Sequence, residues 1–204
     1  MTVSRTIRNR IASINPGSVF CANDFTDLGK RGNIDVVLHR LSEKGFVRQL
    51  GYGLYDLPRK STLPGDLSQQ INDIIDAYSR KMDQCFVLDP LNAANALGVT
   101  NQVPTKLTFL TNGKSHTLHI QGIDINLIHA SPKIMTGSTT SIGTTIQALR
   151  YFGAKGAPDK AIKLLAKRLS NDDLNTLLTL KNHVLRNLIP QIDSINLYWH
   201  KSLI

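Results

Sequence analysis

The chain has 204 residues, 41% of them apolar and 19% charged, the balance of a globular protein large enough for one or two domains. Lys and Arg outnumber Asp and Glu by 24 to 15, a formal charge of +9. Residues 1–60 hold ten basic and five acidic side chains, net +5, against 14 and 10 in the rest, net +4, so the N-terminal segment is where a polyanion is expected to bind. No stretch approaches the roughly 18 apolar residues of a membrane helix, and Arg5, Arg8 and Arg10 have no apolar run behind them, so neither a membrane span nor a secretion signal is expected and the reading is a cytoplasmic protein.

In chain order, residues 2–14 read as a helix with Val3, Ile7, Ile11 and Ile14 on one face, stopped by Asn15-Pro16-Gly17. Residues 18–20 suit a short strand. Residues 22–28 suit a short helix that Asn23 or Asp24 can cap, with Gly29 supplying the turn after it. From Asn33 to Lys44, Ile34, Val37, Leu38 and Leu41 recur at i, i+3, i+4 and i+7 and define one apolar face. The other face carries Asn33, His39, Arg40 and Glu43, with Val36 its sole apolar member, and it is approached through Lys30, Arg31 and Gly32. Gly45 can end this helix, and two β-type runs follow, 46–50 and 54–57, joined by Gly51-Tyr52-Gly53. Helix, turn, helix and hairpin are the parts of a winged helix-turn-helix domain over residues 1–58.

Residues 59–66 are rich in turn formers and read as a linker, which makes residues 67–204 a second domain. It opens with a helix striped by Leu67, Ile71, Ile74, Ile75, Tyr78 and Met82, then a short helix over 89–97 ending at Gly98. Three β-type runs follow at 107–111, 117–120 and 123–128. Asn112-Gly113 and Gln121-Gly122 between them predict an antiparallel meander. In the third run Ile123, Ile125 and Leu127 alternate with Asp124 and Asn126, one face buried and one wet. The remainder reads as helical: 141–151; a helix opened by Pro158 with Ile162, Leu165, Ala166 and Leu169 on one face; a long one capped by Ser170 and broken by Pro190; and a last piece to Trp199. The fold class is α+β, a winged helix-turn-helix followed by a mixed domain of meander and helices.

Both halves together resemble the AbiEi-type antitoxins of bacterial abortive-infection, or type IV toxin–antitoxin, systems. In the first domain the resemblance lies in Gly17-Ser18-Val19-Phe20, in residues 35–45 with Leu38, Leu41 and Gly45, and in Gly53-Leu54-Tyr55-Asp56-Leu57-Pro58. In the second it lies in Ala93-Ala94-Asn95-Ala96-Leu97-Gly98-Val99, Gln102-Val103-Pro104 and Leu110-Thr111-Asn112-Gly113, a narrower pattern than any winged helix. The resemblance implies a transcriptional autorepressor of its own operon whose 67–204 domain is an antitoxin-type domain counteracting a nucleotidyltransferase-like toxin. It assigns no antitoxin role to any single residue of that domain.

Little in the sequence points to catalysis. His116 and His119 lie three apart on a strand and face opposite ways, so they cannot share a metal ion. The glycine-containing run at 136–145 lacks the Gly-Lys-Ser/Thr ending of a phosphate loop and reads as helix-capping hydroxyls or a phosphorylatable loop. Asp172-Asp173 opens a helix and reads as structural. Cys21 and Cys85 fit no paired motif and are expected as reduced thiols. No catalytic residue, metal or cofactor is therefore expected. The expected partner is double-stranded DNA, the operator of the protein's own operon, with Asn33 and Arg40 reaching bases or phosphates. Lys30, Arg31 and His39 would contact the DNA backbone, with Gly32 and Val36 on the same helix, and Arg48 and Tyr52 on the wing would contact the neighbouring strand or the minor groove. The alternatives are a winged-helix protein-interaction module and a general transcriptional regulator without antitoxin role; for Arg40 itself, the alternative is a solvated helix charge.

Overall fold

The computed structural model describes residues 2–58 and 67–201, a mixed α+β chain that divides into two compact units, Met1–Gln84 and Cys85–Ile204.

In the first unit α1 (Val3–Ala12) buries Ile7 and Ile11 completely. The strand β1 (Val19–Cys21) leads into a 3₁₀ turn, Ala22–Leu28, then α2 (Arg31–Glu43), β2 (Arg48–Gly51) and β3 (Leu54–Asp56). The sheet order is β1-β3-β2, antiparallel throughout, so the short strand before the helices pairs with the second strand of the hairpin. Ile34, Leu38 and Leu41 point from α2 into a core shared with Ile7, Ile11, Phe20 and Phe25. Each such side chain contributes about 1.5–3 kcal/mol of burial.

Local chemistry fixes the ends of these elements. Asp24 reaches back to the Cys21 N–H at 2.9 Å, so it closes the 3₁₀ turn as the third residue of a capping box rather than as its cap. Gly29 is extended, φ 163°, and needs no glycine conformation. After α2 the Gly45 N–H donates to Ser42 O and the Phe46 N–H to Leu41 O, both 2.9 Å, with Gly45 at φ +66°: a Schellman termination. The β2–β3 turn places Tyr52 and Gly53 at φ 51° and 67°, the type I′ signs that match strand twist.

Where the linker was expected to separate domains, the structure joins the following helix to the first unit. Residues 59–66 lie outside the described residues, and α3 (Leu67–Met82) packs on β1, β3 and the 3₁₀ turn. Ile74, Ile75, Ala77 and Tyr78 are buried. Arg80 clamps the join: its Nε donates to Asp24 Oδ1 at 2.6 Å and its Nη2 to Asp24 Oδ2 at 3.1 Å and Val19 O at 3.3 Å. The apolar stripe thus belongs to the N-terminal unit, and the division falls between Gln84 and Cys85.

The second unit is built on a four-stranded sheet of β4 (Phe86–Leu88), β5 (Leu107–Thr111), β6 (His116–Ile120) and β7 (Ile123–His129), in the order β4-β5-β7-β6. This corrects the expected meander. β4 takes one edge of β5 antiparallel and β7 takes the other parallel, so β6 can pair only on the far side of β7. The type I′ signs occur at Gln121 and Gly122, φ 51° and 77°, whereas Gly113 is not left-handed. Asn112 instead spends its side-chain oxygen on the Cys85 N–H at 3.0 Å, tying β4 to the end of β5. In β7 the alternation holds, with Ile125 and Leu127 buried and Asp124 exposed.

Helices complete the unit: α4 (Pro90–Ala96), α5 (Gly143–Tyr151), α6 (Asp159–Arg168), α7 (Asn171–Leu180) and α8 (Ile189–Lys201). Asp89 caps α4 through the Asn92 N–H at 2.8 Å. Ser170 and Asp173 form a capping box on α7, the structural role read for the acidic pair. Ile142, Leu149, Ile162, Leu165, Leu177 and Ile192 lie in the core among α5 to α8. The helix after Ser170 ends at Leu180, ten residues earlier than expected, and Pro190 lies in the first turn of α8, where its missing N–H costs nothing. The hydroxyls of 136–145 do not cap α5, whose N-cap is Ile142. Gly137 and Gly143 are close-packing residues: a Cβ on Gly143 would stand 2.6 Å from Gly137 O.

Candidate nucleic-acid interface

The exposed side of α2 is divided lengthwise. At 100° per residue, Arg31, Asp35, His39 and Glu43 lie along one border and Asn33, Val36 and Arg40 along the other. The first border is paired within the chain. Arg31 Nε donates to Asp35 at 3.2–3.3 Å and its Nη1 to Asn23, and His39 stands 3.6 Å from Glu43. The second is uncommitted: among the described residues neither the Asn33 amide nor the Arg40 guanidinium has a side-chain partner, and Val36 is 47% exposed between them. Arg31 and His39 were both expected to contact DNA. The structure leaves them at the surface, each beside an acidic side chain.

The start of α2 is open. Lys30 is its N-cap residue, with extended backbone and no side-chain hydrogen bond into the first turn. Lys30, Arg31, Gly32 and Asn33 are all exposed. The first-turn N–H groups carry the positive end of the helix dipole; the Asn33 N–H donates to Lys30 O at 3.0 Å, and the uncapped turn leaves those of Arg31 and Gly32 for an anion. Gly32 is helical and a Cβ built on it meets nothing within 4 Å, so neither backbone strain nor packing among the described residues accounts for a glycine there.

The hairpin is anchored rather than free. Arg48 donates to Asp56 through Nε at 3.1 Å and Nη2 at 2.5 Å, and Asp56 is only 3% exposed. This pairing raises the Arg48 pKa, the hydrogen bond to Asp56 being the main cause. Arg48 therefore holds β2 to β3, and its charge is balanced by a buried carboxylate. Tyr52 is 41% exposed at the turn, its ring edge-on to Tyr78 with centroids 6.5 Å apart, and its carbonyl accepts from Lys81. Lys81 went unread in the sequence. Burial lowers the pKa of its ammonium, and Arg31 lowers it further, so the two cations lie within electrostatic reach. The signal for it in the sequence is the Arg80-Lys81 pair in the last turn of α3.

The structural division also redistributes the charge. Residues 1–84 hold twelve basic and nine acidic side chains, net +3, and residues 85–204 hold twelve and six, net +6. The overall excess is thus not concentrated in the unit that carries α2. Elsewhere, His119 Nδ1 lies 2.6 Å from Asp124 across the β6–β7 pair, and Cys21 and Cys85 are free thiols. Among the described residues no group of three or more His, Cys, Asp or Glu is placed to hold a metal ion, and no helix is long and apolar enough to cross a membrane.

An α+β chain with an exposed, partly unpaired helix on a small three-stranded unit defines a structural class but not an activity. Residues 6–177 match a family of unknown function, DUF6088, and the chain belongs to that family. No curated protein and no solved structure matches it.

Proposed function

We propose that residues 1–84 form a winged helix-turn-helix unit, extended by α3, that binds double-stranded DNA with α2 in the major groove. The observation that carries this reading is α2 itself: one border of its exposed side keeps an amide and a guanidinium without side-chain partners among the described residues, and its first turn has no side-chain cap and is lined by Lys30 and Gly32. Arg and Asn are the side chains whose geometry pairs with guanine and adenine edges. An open helix start is suited to a backbone phosphate. On this reading Lys30 and the first-turn amides fix the helix on the duplex, Asn33 and Arg40 read bases, and Tyr52 with Lys81 faces the flanking backbone.

The resemblance to AbiEi-type antitoxins supplies the setting. The protein is proposed to repress its own operon in the cytoplasm and to counteract a nucleotidyltransferase-like toxin, with residues 85–204 as the antitoxin-type unit. A gel shift with the DNA upstream of its own gene tests the first part. Co-expression of protein and neighbouring toxin from an unrelated promoter tests the second, because protection there cannot arise from repression of the operon. An unshifted operator, with binding no tighter than to random duplex, would favour a protein-interaction role for the unit.

A further inference from the structure

Side chains on α2 differ in what they are free to do, and that difference specifies what kind of sequence it can read. Arg31 is held by Asp35 and Asn23, and His39 lies beside Glu43. Asn33, Val36 and Arg40 remain, at i, i+3 and i+7, within about 60° of arc by the helical repeat. Along the axis they span about 10.5 Å at 1.5 Å per residue. That is close to three steps of about 3.4 Å in a DNA strand, four successive bases, so three side chains leave one of the four unread. A lone exposed valine carries no meaning by itself. Here its two methyl groups sit between two uncommitted hydrogen-bonding groups on one strip, and in the major groove the base feature suited to an apolar side chain is the 5-methyl of thymine.

We propose that Asn33, Val36 and Arg40 form a three-position reading strip in which Val36 recognises a thymine methyl group, flanked by an adenine read by Asn33 and a guanine read by Arg40. This rests on the reading that α2 enters the major groove. Val36 is the specificity-determining residue of the centre, and its contribution is removable without touching any hydrogen bond, because uracil differs from thymine only by the methyl.

The test begins with selection of bound sequences from a random duplex pool by the full-length protein. In the selected site each thymine is then replaced in turn by uracil, and affinities are measured for the wild-type protein, Val36→Ala and Val36→Thr. One methyl-sized apolar contact is worth about 0.8 kcal/mol, about fourfold in affinity. The wild type is expected to lose about fourfold at one thymine, Val36→Ala to bind thymine and uracil duplexes equally there, and Val36→Thr, which keeps a methyl, to retain the discrimination. Asn33→Ala should relax the neighbouring adenine and leave the uracil effect in place. If the wild type is indifferent to every thymine-to-uracil change, or Val36→Ala responds as the wild type does, the inference is overturned while DNA binding stands. If the wild type enriches no sequence, the DNA reading falls and the inference with it. Val36 is 47% exposed, and equal thermal midpoints for the variants exclude misfolding as the cause.

Discussion

Gly32→Ala should move stability and DNA binding in opposite directions. Gly32 is the second residue of α2, has ordinary helical backbone, and its added methyl meets no atom within 4 Å. Replacing a helical glycine by alanine removes backbone freedom from the unfolded chain, a gain of about 0.5–1 kcal/mol. For a unit of this size that is a rise of roughly 2–8 °C in Tm. If a phosphate approaches the first turn, the same methyl separates it from the N–H groups, and one charge-assisted hydrogen bond lost costs about 1.5–3 kcal/mol. Affinity for the operator should then fall about tenfold or more. Thermal unfolding and fluorescence anisotropy on the same preparation read both quantities. A destabilised variant would refute the open-space argument. A stabilised variant with unchanged DNA affinity would refute phosphate approach to this helix start.

Arg48→Ala should cost about 1–3 kcal/mol of stability by leaving the Asp56 carboxylate buried without its partner, and urea unfolding should show it while random-duplex binding changes little. A fragment ending at Gln84 should unfold cooperatively, and one ending at residue 66 should not, since it exposes the surface covered by Ile74, Ile75 and Tyr78, each worth about 1.5–3 kcal/mol. Circular dichroism of the two fragments decides it, and equal stability would return the boundary to the linker. Ser170→Ala should cost about 1 kcal/mol at neutral pH. Hydrogen bonds from Ser141, then Ser170, hold Asp173 below the usual carboxylate range. Its contribution is therefore complete above the unfolded value of about 3.9 and is lost as pH falls through the lowered one, so the Ser170→Ala deficit measured by urea unfolding should shrink in acid.

Much of the first unit was legible because its signals are local. The i, i+3, i+4 pattern of Ile34, Val37, Leu38 and Leu41, the Gly45 stop and the Tyr52-Gly53 turn each act over a few residues. The placement of α3 was not legible, because the apolar stripe from Ile71 to Tyr78 says that a face is buried and not against what. Turn formers in 59–66 suggested a boundary, while the partners that draw α3 back, Val19, Asp24 and Asn23, lie more than fifty residues earlier. The meander failed for a related reason. Asn112-Gly113 is a hairpin signal only if the strands it joins pair with each other, and β5 had both edges taken by β4 and β7. In the candidate site, residue types showed which side chains are capable of meeting DNA. Arg31 and His39 each stand four residues before an acid, a pairing that helical spacing alone makes legible, whereas the Arg48–Asp56 pair depends on the register of the hairpin; these acidic neighbours set the three apart from Asn33 and Arg40.

The central claim, that α2 reads a DNA sequence, is tested most directly by titrating full-length protein into a selected duplex and a scrambled duplex across a range of salt, with Arg40→Ala alongside. At physiological salt the selected duplex should bind with Kd at or below about 10⁻⁸ M and the scrambled one only at about 10⁻⁴–10⁻⁶ M. Arg40→Ala should reduce the gap between them by about 1–3 kcal/mol. Equal binding of both duplexes by the wild type, or a gap that Arg40→Ala leaves intact, would contradict the account.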